Sequence, residues 1–148
     1  MGYKFCMTAF QSNPRSRTTD LEGLGTISMQ LTMALAKKTE AHIKWLMESG
    51  RFDGYDRDCW DVCLELYTDL KSTLRHTLRA LEEESYRDAN VWVGAVVDVA
   101  VTCEDGFKER GDYKSPLKKE NDYPLTKEND YPLTSTWKLA ENQSLGIL

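Results

Sequence analysis

Nowhere does the chain hold the roughly 20 consecutive apolar residues that a membrane-crossing helix requires. Its opening residues, MGYKFCMTAFQSNPRSR, lack the unbroken apolar centre of a secretory leader. No Lys/Arg cluster stands clear of acidic neighbours, and the net charge of -5 argues against a nucleic-acid surface, suiting a basic partner better. The G-x-S-x-G elbow, the P-loop and the Gly-rich dinucleotide turn are all missing. These absences argue against an enzyme and against a membrane-spanning or nucleic-acid-binding chain.

Histidine is almost absent too. Cys59 and Cys63 in CWDVC share one helical face and could hold two metal ligands, but zinc takes about four, and only His42 and His76 remain to complete a set. Nothing in the sequence converges on them, so no metal site is expected. His76, between Arg75 and Thr77, reads as solvated, and His42 as a core histidine on a buried stripe. The carboxylates of EEES and CEDG read as hairpin and helix-surface charge.

What remains is helix. At 148 residues the chain fits one domain with a real core. After the polar segment SNPRSRTTD, Thr19 or Asp20 is placed to cap a long helix. Its expected stripe is Leu24, Ser28, Leu31, Leu35, Lys38, His42 and Trp45, widened by Ile27, Ala34 and Ala41, and Gly50 and Gly54 are expected to end it. A second helix is predicted from about Arg57 to Glu83 through Cys59, Cys63, Leu66, Leu70, Leu74, Thr77 and Leu81, supported by Val62, Tyr67 and Leu78. A third follows at once through Tyr86, Ala89, Val93, Val96, Ala100, Cys103 and Phe107, stopped by Gly111. Three helices of this length suit a bundle. The octapeptide KENDYPLT then occurs twice in succession, at 119–126 and 127–134, too short a repeat for a solenoid. Pro132 fits the first turn of a short last helix carrying Leu133, Trp137, Ala140, Ser144 and Ile147.

The connection LEEESYRDAN is short enough to force the second and third helices antiparallel. Facing residues then have numbers of constant sum, and Cys63 with Cys103 mirrors about position 83, inside EEES. The two either form a disulfide closing about 40 residues, stabilising by a few kcal/mol, or sit as buried thiols. Cys59 mirrors onto Phe107 and Cys6 stands alone near the start, so these two pair with each other, stay free or pair elsewhere.

At RTTDLEGLGTISMQLTMALA, CLELYTDLKSTL, YRDANVWVGAVVDVAVTCEDGFKE and SPLKKEN, the sequence resembles the plant invertase and pectin methylesterase inhibitor family, in the group that includes pollen allergens. The resemblance covers nearly the whole chain, with TCEDGFKE its most specific element. It implies an all-α fold, a four-helix up-and-down bundle over 19–148, with 1–18 as the linker and the remnant of an N-terminal helical hairpin. It also implies secretion to the cell wall, and a disulfide that falls on Cys63 and Cys103. Only the second hairpin arm is matched, at GYKFC, which leaves Cys6 without its family partner and open to a disulfide-linked dimer, while Cys59 stands outside the family pattern. The implied role is non-covalent one-to-one inhibition of pectin methylesterase, with acid invertase as the alternative target and a non-inhibitory, allergen-like or degenerate member as a third reading. Invertase inhibitors of the family insert a Pro-Lys-Phe loop into the sucrose site. The matching positions are Glu84, Ser85 and Tyr86, where only the aromatic character survives and Tyr86 can equally serve the core stripe of its helix. Asn142 in NQS is a formal glycosylation sequon.

Overall fold

The computed structural model describes residues 2–50, 52–109, 111 and 115–117, with side chains from Met7 onward. Within them the chain forms α1 (Gly2–Gln11), a 3-10 turn (Pro14–Arg17), α2 (Leu21–Ser49), α3 (Gly54–Glu82) and α4 (Tyr86–Lys108). No strand occurs among the described residues. The KENDYPLT copies, the helix expected from Pro132 and Asn142 lie outside them.

Local chemistry sets each boundary. Asn13 accepts from the Arg15 amide ahead of Pro14, and the Ser16 hydroxyl donates to the carbonyls of Phe10 and Asn13, so the linker folds into a tight turn. Asp20 caps α2 by accepting from Gly23 N at 2.9 Å, as its position ahead of the apolar pattern predicted. Asp53 does the same for α3 through Asp56 N at 2.9 Å. Gly54 therefore opens α3 instead of closing α2, whose end is Gly50. A Cβ at Gly50 would meet the Phe52 ring at 2.1 Å, so the aromatic ring lies against bare backbone at this corner.

Short connections leave α2, α3 and α4 successively antiparallel, and α3 packs against both neighbours. The α3 and α4 stripes are buried largely as expected: Cys59, Cys63, Leu70, Leu74, Thr77 and Leu81 against Ala89, Val93, Val96, Ala100, Cys103 and Phe107. Leu66 and Leu78 are half-buried and Val62 is exposed. Trp60 is sealed at the α2–α3 corner, 5.6 Å from the Phe52 ring and edge-on to Phe107 at 5.0 Å.

Helix α2 corrects the sequence reading. Ser28 and Ile27 are buried as expected, but the remaining buried positions are Gly25, Met29, Thr32, Ala36, Thr39, Glu40 and Ile43, a stripe displaced by one residue. Leu24, Leu31, Leu35 and His42 are half-buried, Ala34, Lys38 and Ala41 are exposed, and Trp45 is 60% exposed. The true face is rich in small and hydroxyl side chains, with Met29, Ala36 and Ile43 entering the common core. Ser28 and Thr32 donate to the carbonyls of Leu24 and Ser28, both at 2.9 Å, so burying these hydroxyls leaves no unmet donor. Glu40, buried on this face, bridges the helices by accepting from Lys71 of α3 at 2.6 Å and Lys44 at 2.8 Å. These lysines, the Lys44 hydrogen bond first, hold its carboxyl below the usual carboxylate range against the opposing effect of burial.

Candidate functional site: the turn between α3 and α4

Of the three residues matched to the family's inserting loop, Glu84 and Ser85 lie in the connection Glu83–Glu84–Ser85 between α3 and α4, and Tyr86 is the first residue of α4. Glu83 ends α3, and Glu84 takes a left-handed conformation with φ of 54°. The amide of Ser85 donates to Ala80 O at 2.8 Å and that of Glu84 to Leu81 O at 2.9 Å. This is a Schellman closure, which usually places glycine where Glu84 stands. Ser85 precedes α4 without capping an amide; its hydroxyl donates to Asp88 Oδ2 at 2.9 Å.

Tyr86 does not project from this turn. Its half-buried ring packs against the core, and its hydroxyl donates to Glu22 Oε2 of α2 at 3.4 Å. Burial, followed by the negative charge of Glu22 and Glu84, pushes the phenol above its ordinary value. The exposed part of the tip is acidic, with Glu82, Glu83 and Glu84 in sequence and Asp20 close enough to act on the same phenol. Glu83 is engaged by Arg79 at 2.8 Å, an exposed pair of small energetic weight. The turn is thus a fixed, negatively charged knuckle tied to the start of α2, suited to contact and holding no nucleophile with an activating base.

The cysteines separate into two environments. Cys63 and Cys103 form a disulfide across α3 and α4 with Cα atoms 5.0 Å apart, the first of the two outcomes the mirror arithmetic left open. Cys59, one turn before Cys63, is a buried thiol whose Sγ donates to Gly106 O at 3.4 Å. Burial first, with Asp56, Asp58 and Glu109 adding to it against a lowering hydrogen bond with Tyr55, pushes this thiol above its ordinary value. The side chain of Cys6 lies outside the described residues. No cluster of three metal-ligating side chains occurs among the described residues.

Both histidines sit beside tryptophans. His42 stacks on Trp45 at 6.0 Å on the outer part of α2, correcting its expected core position, and the exposed His76 meets the Trp92 ring edge-on at 5.0 Å. The Glu40–Lys71 bridge was missed in the sequence, although Glu40 and Lys44 stand at a helical i, i+4 spacing that could have raised it.

Comparison with known proteins gives a consistent set of likenesses. The family model described as "Plant invertase/pectin methylesterase inhibitor" matches residues 2–136. The "Putative invertase inhibitor" of Platanus acerifolia is 36% identical over 121 residues, covering 82% of this chain and 67% of that protein. The "Pectinesterase inhibitor" of Actinidia deliciosa is 34% identical over 103 residues, covering 70% and 55% respectively. Among solved structures, a pectin methylesterase inhibitor from Arabidopsis thaliana superposes with a TM-score of 0.66 at 18% identity, over 88% of this chain and 80% of that one. The last likeness carries the all-α fold.

Proposed function

The chain belongs to the plant invertase/pectin methylesterase inhibitor family, and from that premise we propose that it inhibits pectin methylesterase by non-covalent one-to-one docking. The family consists of enzyme inhibitors and not of catalysts, and an inhibitor of cell-wall enzymes is the role common to its members. A stapled helix pair favours this mode, because a surface that does not rearrange on docking loses little conformational entropy.

The observation that carries the choice of target is the folded-back Tyr86. With its hydroxyl held by Glu22 and its neighbours Glu84 and Ser85, the turn offers neither a basic side chain nor a projecting ring to enter a sucrose pocket. Docking through the acidic knuckle and the adjoining helical faces fits this geometry better. Acid invertase is the second reading, supported by the name of the Platanus relative. The same proposal treats residues 19–148 as the inhibitory bundle with 1–18 as its hairpin arm, and places its action in the cell wall, where an oxidising environment suits the disulfide. It also includes a covalent dimer through Cys6, which predicts a band of doubled mass on a non-reducing gel that collapses with reductant.

The test is inhibition of purified plant pectin methylesterase and acid invertase, side by side, by oxidised protein of confirmed helicity. Inhibition of pectin methylesterase alone, weakened by charge reversal at the exposed Glu84, is the expected result. Inhibition of invertase alone would transfer the target, and inhibition of neither would place the chain in a non-inhibitory branch.

A further inference from the structure

Helix α4 carries a second stripe that the other described residues leave uncovered. Arg87, Val91, Gly94, Asp98, Val101, Asp105 and Lys108 recur at alternating steps of four and three, and all are exposed, Val91 at 68% and Val101 at 39%. They follow the core positions by alternately one and two residues, which at 100° per residue turns them on average roughly 150° away from the core stripe. A helix whose two opposite faces both carry apolar residues at packing intervals has more apolar surface than one core consumes. Gly94 lies in open space, a hollow between Val91 and Val101 into which a facing side chain fits.

The charges on this stripe say what fits it. Laid antiparallel against a copy of itself, with the two-fold axis beside position 96, each residue faces one whose number completes a sum of 192. Arg87 then meets Asp105 of the second copy, Val91 meets Val101, and Gly94 receives Asp98, each contact occurring twice. Glu84 in the preceding turn falls opposite Lys108. A parallel arrangement would instead set Arg87, Asp98, Asp105 and Lys108 against themselves. Lys108 and Asp105 also pair within the helix at 3.1 Å, but both side chains are more than half exposed and remain reachable by a partner.

We propose that α4 is the docking face for a second copy of this chain, forming a non-covalent antiparallel dimer through Arg87–Asp105, Val91–Val101 and Gly94–Asp98 contacts. One helix pair lies at the small end of interface sizes, below roughly 1,200 Å², so the association is weak and rises with concentration. The two Asp98 carboxylates approach each other near the axis and hold the affinity down.

Sedimentation velocity on full-length oxidised protein, its free thiols alkylated to exclude linkage through Cys6 or Cys59, reads the dimer directly. Arg87→Asp and Asp105→Arg each place like charges at two symmetric contacts and should weaken dimerisation by about ten-fold or more. Mixing the two variants should restore it as a heterodimer, because Asp at 87 of one chain then faces Arg at 105 of the other. Asp98→Ala should tighten the wild-type dimer. All these positions are exposed, so the variants retain the fold, which circular dichroism verifies. A wild-type chain that stays monomeric at the highest soluble concentration would overturn the proposal, as would a mixture that fails to recover. If the same substitutions weaken inhibition of a target enzyme by a monomeric chain, the face belongs to that enzyme and not to a second copy.

Discussion

Replacing both Cys63 and Cys103 with alanine removes the covalent link between α3 and α4 while keeping a methyl group at each buried position. The link joins residues 40 apart in sequence. In the chain-entropy model, a loop of that size lowers the entropy of the unfolded chain by about 13 cal/mol/K, or about 4 kcal/mol at 25 °C. Two effects bear on this figure. Residual α3–α4 hairpin structure in the unfolded chain would reduce it, whereas the sulfurs lost from a seam in which both cysteines are 1% exposed add a small packing loss. The assay is urea unfolding followed by far-ultraviolet circular dichroism. With a slope of about 2 kcal/mol/M, the double variant should unfold about 2 M earlier than oxidised wild type. Wild type in reductant should unfold near the double variant, and Cys59→Ala in the oxidised background should keep most of the stability. Coincident midpoints for oxidised wild type and the double variant would refute the loop-closure argument. Coincidence of the oxidised Cys59→Ala protein with the double variant would show that Cys59 supplies the working cross-link.

Three further outcomes follow from the geometry. Glu84→Gly should raise stability by about 1 kcal/mol, because the left-handed φ of 54° is strained for a side chain and free for glycine; an unchanged melting temperature would mean the turn stores no strain. Lys71→Met should cost about 2 kcal/mol by removing a charged hydrogen bond from buried Glu40. Since the Glu40 carboxyl is depressed in the folded state, its contribution is present above the ordinary carboxylate pKa and lost as pH falls through the lower folded value; acid unfolding curves of wild type should converge with those of the variant there. Tyr86, with a raised phenol pKa, contributes fully below the unfolded value near 10 and loses that contribution as pH rises through the higher folded value; ultraviolet titration of Tyr86→Phe should lose a late-titrating phenolate relative to wild type.

Helices α3 and α4 were legible because their buried faces use Leu, Val, Cys and Phe at helical intervals, where hydropathy and burial agree. Helix α2 was read one residue out because there they part company. Its large apolar residues, Leu24, Leu31, Leu35 and Trp45, lie at the margin, while Gly25, Thr32, Ala36 and Thr39 go inside. Burial of small residues, with hydroxyls satisfied by their own backbone, is not a quantity that a count of apolar residues measures. The Cys63–Cys103 pairing was reachable because a short hairpin reduces three-dimensional neighbourhood to arithmetic. The posture of Tyr86 was not, since its partner Glu22 is 64 residues away and no local pattern links the two.

The narrow face of α2 also sets how this chain can drift. Gly25 and Ala36 are buried with no more than a hydrogen atom or a methyl group at each, and in a close-packed interior an added methylene there must displace its neighbours. A Leu-to-Met exchange in α3 merely reshuffles its surroundings, but Ala36→Leu would shift the lever arm that holds Glu40 to Lys71 and, at the far end, Glu22 to Tyr86. Descendants of this sequence are therefore free to change hydrophobic identity in the centre of the bundle while staying frozen in side-chain size along one edge of α2, so that bulk there, more than polarity, marks which variants still present the same tip.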